Sequence, residues 1–211
     1  RSSDLSLGVL HLSSEILNNL RLNAIRYQKK YDDGHVFGHI DQIPKHNIQE
    51  LRLAALMHDI GHGPVSHQFE SFMPGKHEFS DVLPTAYHSI IDVLSKPEQK
   101  VEHEQLSLLF SLMIYHDLRK QGKVDDEINI ENVLKIIEKR YGDQQIIEEI
   151  NGKATDILPL MTSIISSCPI DADRMDYLLR DGYFSGVKCG IYDYNRLFMS
   201  IVPVEEQGKL Y

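Results

Sequence analysis

The stretch AALMHDIGHGPVSH, residues 54–67, decides how this chain is read. Its first half continues the spacing of IQELRLAALMHDI, where Leu51, Ala54, Ala55 and Ile60 recur at three- and four-residue steps, the pattern of an amphipathic helix. Its second half breaks that helix with Gly61 and the Gly63-Pro64 pair. His58 and Asp59 are thus expected in the last helical turn, with His62 and His67 in the Gly- and Pro-containing turn beyond. Imidazole and carboxylate are ligands suited to first-row divalent metals. A lone histidine is most often a surface or satisfied core residue, but four polar groups at the end of an apolar helix are less easily dismissed. Adjacent His and Asp side chains do not share one helical face. Both reach one ion only if a second helix supplies the rest.

DADRMDYLLRD, residues 171–181, is the candidate second helix, with Asp171 as its N-cap. Asp173, Tyr177 and Asp181 fall at i, i+4 and i+8, with Arg174 flanking them on the same broad face. The competing structural assignment makes Asp176 and Arg180 an i, i+4 surface pair while Met175, Leu178 and Leu179 pack inward. That assignment accounts for those residues and explains Asp173 and Asp181 less well.

Working outward, 211 residues with 42% apolar and 25% charged content suit one globular domain. Helical spacing dominates, beginning with Leu7, Leu10, Ile16, Leu17 and Leu20, and predicts further helices at about 86–95, 102–121, 129–141, 143–150 and 155–167. The fold class expected is all-α, a helical bundle over residues 1–198. A polar segment at 72–100, broken by Pro74, Pro84 and Pro97, reads as an inserted or mobile region. Residues 199–211 read as the start of a further region, where VPVEEQGKLY opens a short strand-turn-strand element. Both ends look abrupt, as in a fragment of something longer. Cys168 and Cys189 have no paired spacing, which favours a reducing, cytoplasmic setting. Apolar runs such as LMTSIISSCPI are too short and too polar to cross a bilayer, and no signal-peptide pattern opens the chain. A net charge of −9 argues against non-specific nucleic-acid binding.

Taken together and in this order, HDIGHGPVSHQFE, EHEQLS and DADRMDYLLRD followed by YFSGV resemble the HD-domain phosphohydrolases. The subgroup they most resemble is the deoxynucleoside triphosphate triphosphohydrolases. The resemblance runs from SLGVLHLS to about Arg196, with 72–100 least matched. It implies an HD helical bundle whose metal ligands are His58, Asp59 and Asp173. It also implies that His62, His67, Glu70 and His103 line the reaction centre. His67 or His103 would handle protons near the leaving oxygen, and Glu70, where relatives carry aspartate, would orient or polarise one of them. Arg174 and Tyr177 would contact phosphates, and Asp181 with Tyr177 would lie near the sugar. The implied cofactor is a divalent ion, manganese, iron, nickel or zinc, with magnesium at a second position. The implied partners are a nucleotide, foremost a deoxynucleoside triphosphate cleaved to deoxynucleoside and tripolyphosphate, and further copies of the chain.

Two positions depart from the family pattern. A histidine normally precedes SLGV and completes the metal site, and an arginine three residues earlier helps hold phosphate. Here these are Leu5 and Ser2. Leucine offers no lone pair. His11 lies six residues along the helix and about 240° round from Leu5, and Arg1 is one position out of register. A weakened or changed metal site, an inactive domain that binds nucleotides as sensor or scaffold, and an altered N-terminal segment all stay open. A phosphomonoester or cyclic-nucleotide substrate is a further alternative, since the same chemistry serves a different pocket.

Overall fold

The computed structural model describes residues 2–31, 34–63, 67–91, 93, 99–167, 170–186 and 192–211. Arg1, Pro64, Pro97, Cys168 and Cys189 lie outside the described residues, as do the side chains of Ser2 and His67.

Helix α1, Ser2–Tyr31, spans 30 residues and buries Val9, Leu12, Ile16, Leu17, Leu20 and Ala24 as one stripe. Leu10 is half-buried, whereas Leu7 lies 58% exposed and off that stripe. A loop with a 3-10 turn at Ile40–Gln42 reverses the chain into α2, Lys45–Met57. Helix α2 packs against α1 on one side and α7, Ile130–Ile137, on another. The short helix α3, His67–Glu70, follows. The 72–100 segment forms α4 (Lys76–Val82), a 3-10 turn (Thr85–Tyr87) and α5 (His88–Ile91), in which Ile90 and Ile91 are buried. Gly75 and Lys100 bridge its two ends. Helix α6, His103–Lys120, and helix α8, Leu158–Ile165, complete the core with α9, Ala172–Ser185. Helix α9 starts at Asp171, whose carboxylate accepts the Arg174 N–H at 2.7 Å, and ends at Gly186 in the left-handed region. Helix α10, Tyr194–Phe198, returns to α1.

The fold is mostly helical, as the apolar spacing predicts, but the helix expected at 143–150 is wrong. Ile147–Ile150 is strand β1, paired antiparallel with β2, Lys153–Asp156. The cause is local. Asn151 and Gly152 have φ of 52° and 72°, the left-handed pair that a two-residue hairpin turn requires. The expected helix at 155–167 is shortened for the same reason. Asp156 closes β2 and its carboxylate accepts the N–H of Ile146 and of Leu158, each at 3.1 Å, so α8 starts only there. The expected strand-turn-strand at the C-terminal end is present as β3, Glu205–Glu206, and β4, Lys209–Leu210. Strand β4 runs parallel to β2, giving a four-stranded sheet of order β1-β2-β4-β3. Among the described residues no helix is long and apolar enough to cross a membrane.

Candidate metal centre

Helix α2 ends at Met57, three residues before the Ile60 to which its apolar spacing runs. His58 is its C-cap, and Asp59 lies in the turn that follows. Gly61 sets how close that turn comes to α6. A Cβ at Gly61 would lie 2.2 Å from the His103 carbonyl oxygen, and its N–H donates to the buried Ser107 hydroxyl at 3.0 Å. The turn is thereby fastened to the first turns of α6. Gly63 allows the Phe69 ring of α3 a similarly close approach.

These contacts, with α9, gather the charged side chains. His58 Nδ1 lies 2.9 Å from the Ala55 carbonyl oxygen. Since a carbonyl only accepts, Nδ1 carries the proton and the neutral ring turns its Nε2 lone pair outward. That Nε2 is buried and has no hydrogen-bond partner among the described residues. It faces Asp59 Oδ1 at 3.7 Å and Asp173 Oδ1 at 3.6 Å, beyond hydrogen-bond range. A lone pair confronting two carboxylates calls for positive charge between them, supplied by a proton on Nε2 or by a bound cation. Burial opposes charge on the ring, but Asp173 and Asp59 outweigh it and raise the His58 pKa above its ordinary value. His58, Asp59 and Asp173 each offer one ligand atom within 4.8 Å of the others. The residues therefore fit a divalent ion.

Asp59 belongs to a second cluster as well. Its Oδ2 lies 3.6 Å from His62 Nε2, and Asp59, His62 and His103 also bring ligand atoms within 4.8 Å of one another. The His62 and His103 rings stack with centroids 3.9 Å apart and planes within 12°. His103 Nδ1 in turn lies 2.5 Å from Glu70 Oε1 and 3.4 Å from Glu104 Oε2. His103 is thus oriented by α3 on one side and stacked on the His-Asp turn on the other.

Of the residues singled out in the sequence, His58, Asp59, His62, Glu70, His103 and Asp173 meet in one place. His67 opens α3, and its side chain lies outside the described residues. Arg174 is half-buried, while Tyr177 and Asp181 lie on the exposed side of α9. Asp176 and Arg180 do form an i, i+4 pair, but Asp176 is buried rather than at the surface. Leu5 is half-buried against the apolar core and His11 is exposed. Ser107 and Glu104 were not singled out. The spacing of Ser107, one turn after His103, was the available signal.

A family model for the HD domain matches residues 6–181. The uncharacterized protein MG461 of Mycoplasma genitalium is 29% identical over 206 residues, covering 96% of this chain and 36% of that protein. The deoxynucleoside triphosphate triphosphohydrolase SAMHD1 of Homo sapiens is 26% identical over 194 residues, covering 80% of this chain and 26% of that protein. A solved phosphohydrolase structure from Bacteroides thetaiotaomicron superposes with a TM-score of 0.51 at 21% identity, covering 98% of this chain and 35% of that one. The chain spans about a third of the length of these relatives.

Proposed function

This chain belongs to the HD-domain family, and on that premise we propose that it is a metal-dependent phosphohydrolase that converts a deoxynucleoside triphosphate to deoxynucleoside and tripolyphosphate. The observation that carries this reading is the buried Nε2 of His58, unpartnered among the described residues and facing the carboxylates of Asp59 and Asp173. The substrate class comes from the similarity to SAMHD1, whose name specifies that reaction.

His58, Asp59 and Asp173 would hold a divalent ion, which supplies Lewis acidity and lowers the pKa of water at the reacting phosphorus. The protein's own groups do the rest. His103, held by Glu70 and stacked on His62, would pass a proton to the departing sugar oxygen, a role its fixed orientation supports. Glu70 accepts from the His103 Nδ1 and so fixes the orientation that a proton-transfer ring needs. His67, which opens α3, is the alternative proton-transfer group. Arg174 gives a net-negative domain a local positive charge for phosphate, while Tyr177 and Asp181 follow it along α9 toward phosphate and sugar. The two cysteines, without paired spacing, suit a reducing cytoplasm.

A second reading rests on Leu5, which packs against the core and offers no ligand. It makes the domain a nucleotide-binding sensor or scaffold without turnover. Incubation with each deoxynucleoside triphosphate and manganese, scoring nucleoside plus tripolyphosphate separately from monophosphate, distinguishes the two. Nucleoside release supports the triphosphohydrolase. Monophosphate release contradicts that product assignment, and binding without either product supports the sensor.

A further inference from the structure

We propose that Asp176 and Arg180, seated on Gly8, form a positioning device that sets where Asp173 meets His58. Arg180 donates to Asp176 through two parallel bonds, Nε to Oδ2 at 2.8 Å and Nη2 to Oδ1 at 3.0 Å. Such a forked pair fixes both side chains in direction as well as distance. It lies on the backbone of α1. A Cβ at Gly8 would come 1.9 Å from Asp176 Oδ1, 2.4 Å from its Cγ and 2.8 Å from Arg180 Nη2. No other residue type fits beneath the pair without displacing it.

The consequence reaches the metal centre because Asp173 lies three residues before Asp176 on the same helix, about 4.5 Å along its axis. A methyl on Gly8 displaces the pair by roughly 1 Å, the gap between 1.9 Å and the shortest tolerable Cβ contact of 3.0 Å. Asp176 is buried, its side chain is short and Arg180 holds both its oxygens, so the displacement is taken up by the α9 backbone that carries it. Metal sites tolerate deviations of only about 0.2 Å in ligand distance. Helix α1 bears Leu5 and so brings no lone pair to the ion from that position. Its influence on the centre runs through Gly8 instead. Asp176 and Arg180 thus act through Asp173 and touch no reacting group.

This role rests on the metal reading above, and the test separates the two. Mn²⁺ affinity and thermal melting are measured for the chain, for Asp173→Ala, Gly8→Ala, Asp176→Ala and the Gly8→Ala/Asp176→Ala double variant, and for Arg180→Lys. Gly8→Ala is expected to weaken Mn²⁺ binding about 10–100-fold, the usual range for a group that supports a ligand. With Asp176 already removed, the same change is expected to cost less than about threefold, because only the flexible end of Arg180 then faces the methyl and it can move aside without shifting the helix. Arg180→Lys keeps the charge without the fork and is expected to weaken binding by up to about tenfold at an unchanged melting temperature, which carries the test if Gly8→Ala does not fold. Unchanged Mn²⁺ affinity in both Gly8→Ala and Arg180→Lys, or additive losses in the double variant, overturns the positioning role alone. A chain whose Mn²⁺ binding is absent or indifferent to Asp173→Ala overturns the metal reading and this role with it.

Discussion

Glu50 midway along α2 is fully buried and His58 at its C-cap is half-buried with a buried Nε2, yet the donors around Glu50 answer both its oxygens while Nε2 of His58 has no partner among the described residues. Glu50 Oε1 accepts the Asn129 N–H at 2.8 Å, and Oε2 accepts from the side chains of Asn47 and Asn132 at 3.0 Å each. Burial pushes the Glu50 carboxyl up and outweighs these three donors, which pull it only part of the way back. The result ties α2 to the N-cap of α7. Two turns on, at the C-cap, the His58 ring is turned by the Ala55 carbonyl so that its lone pair points at two acids. A buried polar group whose partners are complete is architecture, and one whose partners are all of the wrong sign marks where a ligand belongs.

That contrast can be broken first at His103. His103→Gln keeps a polar side chain but removes the proton donor, and turnover is expected to fall about 10²–10⁴-fold. Metal content should hold, because His58, Asp59 and Asp173 are untouched. A loss of metal equal to the loss of turnover would shift His103 from proton transfer to ligation, through its cluster with Asp59 and His62.

Glu50→Gln tests the saturated group. It replaces one acceptor oxygen with a donor amide facing Asn47 and Asn132, or Asn129, and is expected to cost about 1–3 kcal/mol of stability. Denaturant unfolding measures it, and Mn²⁺ affinity should stay within about twofold of the unaltered chain if this part of α2 is architectural. A large affinity loss would show that the two parts are not separate.

The smallest effect is in pH. The raised pKa of His58 means that the metal-free fold binds its proton more tightly than the unfolded chain. That stabilisation is complete below the unfolded histidine pKa of about 6.5 and is lost as pH rises through the raised folded value. The metal-free chain should therefore melt at lower temperature as pH rises through that window, and His58→Ala should lack the trend. Saturating metal should reverse the sign, because the ion takes the neutral ring and is helped by proton loss.

How much of this was legible in the sequence differs between the same parts of the molecule. The His-Asp turn was readable because Gly61 and Gly63 interrupt a regular apolar helix where the ligands cluster. Asp173 was readable as one acid of a helical face, but that it reaches His58 depends on how α9 rests on α1, which spacing along either helix does not contain. Glu70 and His103 stand 33 residues apart, and only the resemblance to a family linked them before the fold brought α3 and α6 together. The β1-β2 hairpin was misread because IIEEI places its apolar residues at positions that suit helix or strand. Asn151-Gly152 was the signal that outweighs them. Asp176 was read as a surface partner of Arg180, since an i, i+4 pair looks alike on a wet face or over a glycine of a neighbouring helix.

The most direct test of the central claim is the metal content of the purified chain beside that of Asp173→Ala, measured by elemental analysis after removal of loosely bound ions. The account predicts at least about one equivalent of a divalent transition metal in the first and almost none in the second, with both proteins folded. A chain free of metal, or one whose metal survives Asp173→Ala, would contradict it.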